Sequence, residues 1–144
     1  MNRRQVLARA ADALAAWNRG DPDGVVVDVA DDVIFRDVVL GVLHGRDALR
    51  DAARAYMTAF PDLRIEETSS TLASPRLVQE LTITGTHRGE LLGVPATGRW
   101  TENYAALITT FDDDGMVIEG ALYWNAQAML CQLGVAPPFA AAAA

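Results

Sequence analysis

Apolar positions along the chain change period near residue 62, where a mainly helical part gives way to a mainly strand part. Val6, Leu7, Ala10, Leu14 and Trp17 recur at helical spacing between about Asn2 and Arg19, and Gly20 closes the run just past its end. Asp21-Pro22-Asp23 supplies an N-cap with proline in the first turn, which predicts a short second helix through Val26 to Val29. Val33 to Val39 reads as a strand, followed by a loop holding Gly41, His44 and Gly45. From Asp47 to Phe60 the positions Leu49, Ala52, Ala53, Tyr56, Met57 and Phe60 form another amphipathic stripe, which Pro61 stops. Period two then takes over in Leu63–Leu72, Leu77–Thr86, Trp100–Phe111 and Val117–Tyr123, with Asp112-Asp113-Asp114-Gly115 as a hairpin turn. A last helix is expected from about Asn125 to Leu133, capped by Gly134. Helices first and an antiparallel meander afterwards predict an α+β fold in which a bent sheet wraps around helices.

The interruption before Trp100 is informative in its own right. Ile83-Thr84-Gly85-Thr86-His87-Arg88-Gly89-Glu90-Leu91-Leu92-Gly93-Val94-Pro95-Ala96-Thr97-Gly98-Arg99 carries four glycines and one proline, too ordered for a linker and too glycine-rich for a helix. Together with Ala59-Phe60-Pro61-Asp62-Leu63 upstream and Cys131-Gln132-Leu133-Gly134-Val135 downstream, it resembles the SnoaL-like polyketide cyclases of the nuclear-transport-factor-2-like superfamily. The resemblance runs from the first helix to about Pro137. It implies an NTF2-like cone, with N-terminal helices packed in a strongly curved antiparallel sheet and a hydrophobic pocket inside, as a single domain over residues 1–137. Residues 138–144, ending in an alanine run, are expected to be a disordered tail.

Charge narrows the partners. Nineteen acidic against twelve basic residues give a net charge of −7, which disfavours nucleic acid and anionic membrane surfaces. The single cysteine, Cys131, cannot form an internal disulfide and fits a reducing cytoplasm, where it reads as a small core residue. Arg9, Asp12 and Trp17 break the N-terminal apolar stretch, so neither a signal peptide nor a membrane span is expected. With two histidines and no metal-ligand spacing, no metal site is expected either.

Asp37 is the leading acid/base candidate, because it lies in the apolar run Val33 to Leu40, where an ionised carboxylate needs partners. The resemblance adds that the ketosteroid isomerase branch of the superfamily keeps its general base at a comparable place. The other reading pairs Asp37 with Arg36 or Arg46 at the cone's rim. Period two puts Trp100, Glu102, Tyr104, Ala106 and Ile108 on one face, and the resemblance implies that this face looks into the cone, opposite Ile118, Gly120, Leu122 and Trp124. The expected catalytic set is therefore Asp37, Glu102 and Asn125, with Phe35, Met57, Trp100, Tyr104, Leu122 and Trp124 as the substrate-binding wall. Glu80 is a further acid that stands either in the pocket or on the outer face, and His87, Arg88 and Glu90 read as hairpin structure or a subunit contact. His44, beside Gly45, is expected to be exposed.

In one respect the chain departs from the cyclases it resembles. Their last-strand aspartate falls at Leu122, its histidine partner at Ala106, and the acidic position at the start of the last helix at Asn125. What the resemblance implies is a cofactor-free enzyme of secondary metabolism, moving protons on a polyketide-like or other polycyclic carbonyl compound as a cyclase or isomerase. The alternatives are an epoxide-opening enzyme or a non-catalytic binding or assembly module. A hydrophobic small molecule is the expected ligand. A homodimer or higher homo-oligomer is expected through an outer sheet face made by Leu107, Thr109 and Phe111.

Overall fold

The computed structural model describes residues 2–137. The tail expected at 138–144 lies outside the described residues. Helix α1 (Arg3–Asn18) begins with Asn2 and Gln5 in a reciprocal capping box and ends before Gly20, at φ +69°. Asp21 caps the single-turn α2 (Pro22–Val25) through the Gly24 N–H. Strand β1 (Val29–Asp37) starts earlier than the apolar pattern suggests, and the stretch read as a loop contains a short strand, β2 (Gly41–His44), which pairs with β1 and leaves His44 exposed. Helix α3 (Arg46–Ala59) turns its stripe inward and its arginines outward, where Arg50 and Arg54 meet Asp47 and Asp51 one turn back. There follow β3 (Arg64–Ala73), β4 (Arg76–Thr86), β5 (Trp100–Phe111), β6 (Val117–Trp124) and α4 (Ala126–Gln132), the last capped by the Asn125 side chain.

The strands form one six-stranded sheet in the order β2-β1-β6-β5-β4-β3. Every pairing is antiparallel except β1 with β6, a parallel contact that brings Asp37 beside Leu122 and Phe35 beside Gly120. Register shifts at Glu67/Ser69, in β1 and at Thr110/Phe111 bend the sheet around α1 and α3. At the β3 edge the Asn18 amide accepts from the Ile65 N–H at 2.6 Å and donates to the Ile65 carbonyl at 3.0 Å, completing an edge that a strand would otherwise have to cover.

The glycine-rich connection pins the end of α3 to the sheet. Arg88 and Gly89 both donate to the Ala59 carbonyl, and a Cβ on Gly89 would stand 2.4 Å from the Thr58 carbonyl oxygen, so only glycine allows this approach. His87 is fully buried against Phe60, and its Nδ1 accepts from the Thr97 N–H at 3.2 Å. Asp62 accepts from both the N–H and the hydroxyl of Thr86, and these bonds hold its carboxyl below the usual range. Leu91 drops into a cluster with Phe60, Met129 and Leu133. His87 thus serves as part of the connection's framework.

Candidate functional site

The bent sheet does not close on its helices. A cavity of about 160 Å³ remains between α1, α3 and α4 on one side and the inner faces of β1, β4, β5 and β6 on the other. Its wall is mostly apolar, from Leu14 and Trp17 through Phe35, Leu49 and Phe60 to Leu122 and Met129.

Asp37 reaches this wall from the last position of β1 and is only 5 % exposed. Its Oδ1 accepts from the N–H groups of Val39 and Leu40, at 2.7 and 3.1 Å, because the chain turns back on the carboxylate immediately after the strand. Its Oδ2 accepts from the Tyr56 hydroxyl at 3.0 Å. Neither arginine of the rim reading is involved: Arg36 pairs with Glu119, while Arg46 pairs with Asp31 and donates to the Val29 carbonyl. Tyr56 comes from the inward stripe of α3, and its ring meets Trp124 edge-on at 6.4 Å between centroids. Burial, followed by the charge of Asp37 and the hydrogen bond to it, pushes the Tyr56 hydroxyl well above its ordinary value, so it acts as a fixed donor.

On β5 the periodicity is as expected but the face is inverted. Thr101, Asn103, Leu107 and Thr109 line the cavity, whereas Trp100 is 60 % and Tyr104 68 % exposed on the outside with Glu102. The Tyr104 hydroxyl donates to Glu102, which raises the phenol's pKa, and this pair never reaches the cavity. Because side chains alternate, a one-residue error transfers the whole set to the wrong side. The same inversion removes Leu107, Thr109 and Phe111 from the outer face: the first two line the cavity and Phe111 packs with Val6 and Leu77. It also places Ala106 outside, next to Tyr123, and Leu107 opposite Leu122.

Asn125 is exposed and spends its side-chain oxygen on the Ala128 N–H as the α4 cap, so it does not enter the site. Met57 packs beside the buried group of Ala16, Val25 and Val33 and is not part of the cavity wall. Glu80 is exposed and accepts from the Ser69 hydroxyl. Phe35, Leu122 and Trp124 do line the cavity; a Cβ on Gly120 would fall 2.5 Å from the Phe35 ring, so glycine there makes room for it. Tyr56, Thr84, Thr101, Asn103 and Thr109 add the uncharged polar part of the wall; the sequence pattern names Tyr56 only within the α3 stripe and Thr109 only on the outer face, and assigns none of the five to the site. Among the described residues, three buried atoms of residues on this wall have no hydrogen-bond partner: Asn103 Nδ2, Thr109 Oγ1 and Trp124 Nε1. Buried polar atoms are ordinarily satisfied, and orphans on residues that line a cavity mark places where a ligand can supply the partner.

A bent six-stranded sheet that holds helices and an apolar cavity defines the nuclear-transport-factor-2-like cone. The family model of the SnoaL-like polyketide cyclases matches residues 6–133, and the chain belongs to that family. AclR, a proposed hydroxylase from Streptomyces galilaeus, is 28 % identical and superimposes with a TM-score of 0.83 over 94 % of this chain and 85 % of its own. IdmH, a proposed polyketide cyclase from Streptomyces antibioticus, is 24 % identical with a TM-score of 0.77, covering 91 % of this chain and 99 % of its own. SalBIII, an epoxide hydrolase/cyclase-like enzyme of pyran ring formation in salinomycin, is 17 % identical with a TM-score of 0.74, covering 89 % and 95 %. A search of curated proteins gives no significant match. No helix among the described residues is long and apolar enough to cross a membrane.

Proposed function

We propose that this chain is an acid/base enzyme acting on a polyketide-like or other polycyclic carbonyl compound, with Asp37 as the proton-transferring group. One observation carries the reading: among the described residues Asp37 is the only aspartate or glutamate on a wall that is otherwise mostly apolar, and its Oδ2 is oriented by Tyr56. A carboxylate so placed accepts a proton from an acidic C–H next to a carbonyl, leaving the electron pair in an enolate. Returning the proton to a different carbon shifts a double bond; attack of the enolate carbon on a second carbonyl closes a ring. This chemistry asks for no cofactor, because a base and hydrogen-bond donors suffice.

The test requires no native substrate. In deuterated water the protein should accelerate exchange of the α-hydrogens of 1-tetralone, followed by NMR, and Asp37→Asn should lower the protein-catalysed rate by about 100-fold or more. Exchange undiminished in Asp37→Asn would remove Asp37 from this role. A second reading, a binding module without catalysis, draws on Leu122, an inert side chain lining the cavity at the position where the resemblance places the cyclase acid. It predicts ligand binding with no exchange in either protein.

A further inference from the structure

The polar end of the cavity has its hydrogen-bonding sense fixed from behind. The Glu102 N–H donates to Gln132 Oε1 at 2.7 Å, which settles which end of the Gln132 amide is oxygen. Gln132 Nε2 therefore faces the Glu102 carbonyl at 3.0 Å and Asn103 Oδ1 at 3.4 Å. With its oxygen turned to Gln132, Asn103 is left with Nδ2 as its free group, a donor on a side chain 4 % exposed and lining the cavity. Trp124 Nε1, the other orphaned N–H on this wall, stands nearby: Trp124 lies opposite Ala105, so Asn103 is its diagonal neighbour on the same face, with Cα atoms about 7–8 Å apart. Both are N–H groups, and neither can accept.

We infer that Gln132, Asn103 and Trp124 form a seat for the carbonyl-type oxygen of a neutral ring, with Gln132 as a positioning residue that holds Asn103 as a donor. The inference rests on reading the cavity as the substrate site and narrows what enters it. Among the described residues no arginine, lysine or histidine lines the cavity, so an anionic ligand meets Asp37 with no counter-charge. A protonated amine brings donors to donors at the seat. A cavity of about 160 Å³ is of the size that encloses one benzene ring. The ligand therefore buries a single ring bearing an oxygen acceptor, and any further rings lie beyond this space.

Calorimetric titration of the wild-type protein with four small probes tests the ligand class without any substitution. 1-Tetralone should bind about 10-fold more tightly than tetralin, which has the same rings and no oxygen, since the ketone pairs donors otherwise left buried. 1-Naphthoate and protonated 1-aminotetralin should both bind more weakly than the ketone. Asn103→Leu should reduce the ketone's affinity to that of tetralin while leaving tetralin unchanged. Gln132→Glu can still accept from the Glu102 N–H but no longer donates, so Asn103 should turn its oxygen to the cavity and the preference should move about 10-fold from 1-tetralone toward 1-tetralol. Equal wild-type affinity for ketone and tetralin overturns the proposal, as does an equal loss of both in Asn103→Leu or an unchanged ketone-to-alcohol ratio in folded Gln132→Glu. Tighter binding of the amine would make the cavity an ammonium site instead. These are binding readouts, so they fail separately from the exchange test of Asp37.

Discussion

Two tyrosine–carboxylate pairs stand on opposite sides of this sheet, Tyr56 with Asp37 inside and Tyr104 with Glu102 outside, at nearly the same distances of 3.0 and 2.9 Å. Their chemistry is the same and their surroundings are not. The inner pair lies in an apolar cavity, where a lost hydrogen bond leaves a carboxylate short of a partner that water cannot easily replace. The outer pair is solvated, and its loss is absorbed by water. Position relative to the sheet decides which pair can shape a reaction.

The contrast can be broken in several ways. Tyr56→Phe removes a donor from a buried carboxylate and should destabilise the fold by about 2–3 kcal/mol, measured by denaturant unfolding. Gly120→Ala, which drives a methyl into the Phe35 ring on the inner face, should cost about 1–2 kcal/mol, whereas Ile118→Ala on the neighbouring exposed position should stay within about 0.5 kcal/mol. The inner pair also carries a pH signature. Because Tyr56 is raised in the folded state above its ordinary value of 10.0, its contribution is complete below pH 10 and is lost as pH rises further. The stability gap between wild type and Tyr56→Phe should therefore narrow above pH 10. Tyr104→Phe should leave the unfolding midpoint where it is; a shift comparable to that of Tyr56→Phe would contradict the distinction between the faces.

Much of the scaffold is legible in the sequence because it follows from periodicity and punctuation. Gly20, Pro22, Pro61 and the Asp112–Gly115 turn bound their elements as their side chains require, and Trp100 to Phe111 is the strand that its alternation describes. The parallel pairing of β1 with β6 is not, since it joins strands about eighty residues apart with no local signal. For the site, alternation in β5 shows two faces without saying which is inner. The usual guide, large apolar residues inside, misleads here. A cavity exists because the inner face is kept small and polar at Thr101, Asn103 and Thr109, while Trp100 and Tyr104 go outside. Tyr56 was in view as one member of the α3 stripe. Its role depends on Asp37, nineteen residues earlier, which no local pattern links to it. Gln132 lies in a recognisable motif, yet its bonds to Glu102 and Asn103 exist only once α4 folds back on β5.

The most direct test compares the two carboxylates in the same assay, the α-deuteration of 1-tetralone. Asp37→Asn should lower the protein-catalysed rate by about 100-fold or more while Glu102→Gln leaves it at the wild-type value. A fall in Glu102→Gln with Asp37→Asn unaffected would place the chemistry on the outer face and contradict the account.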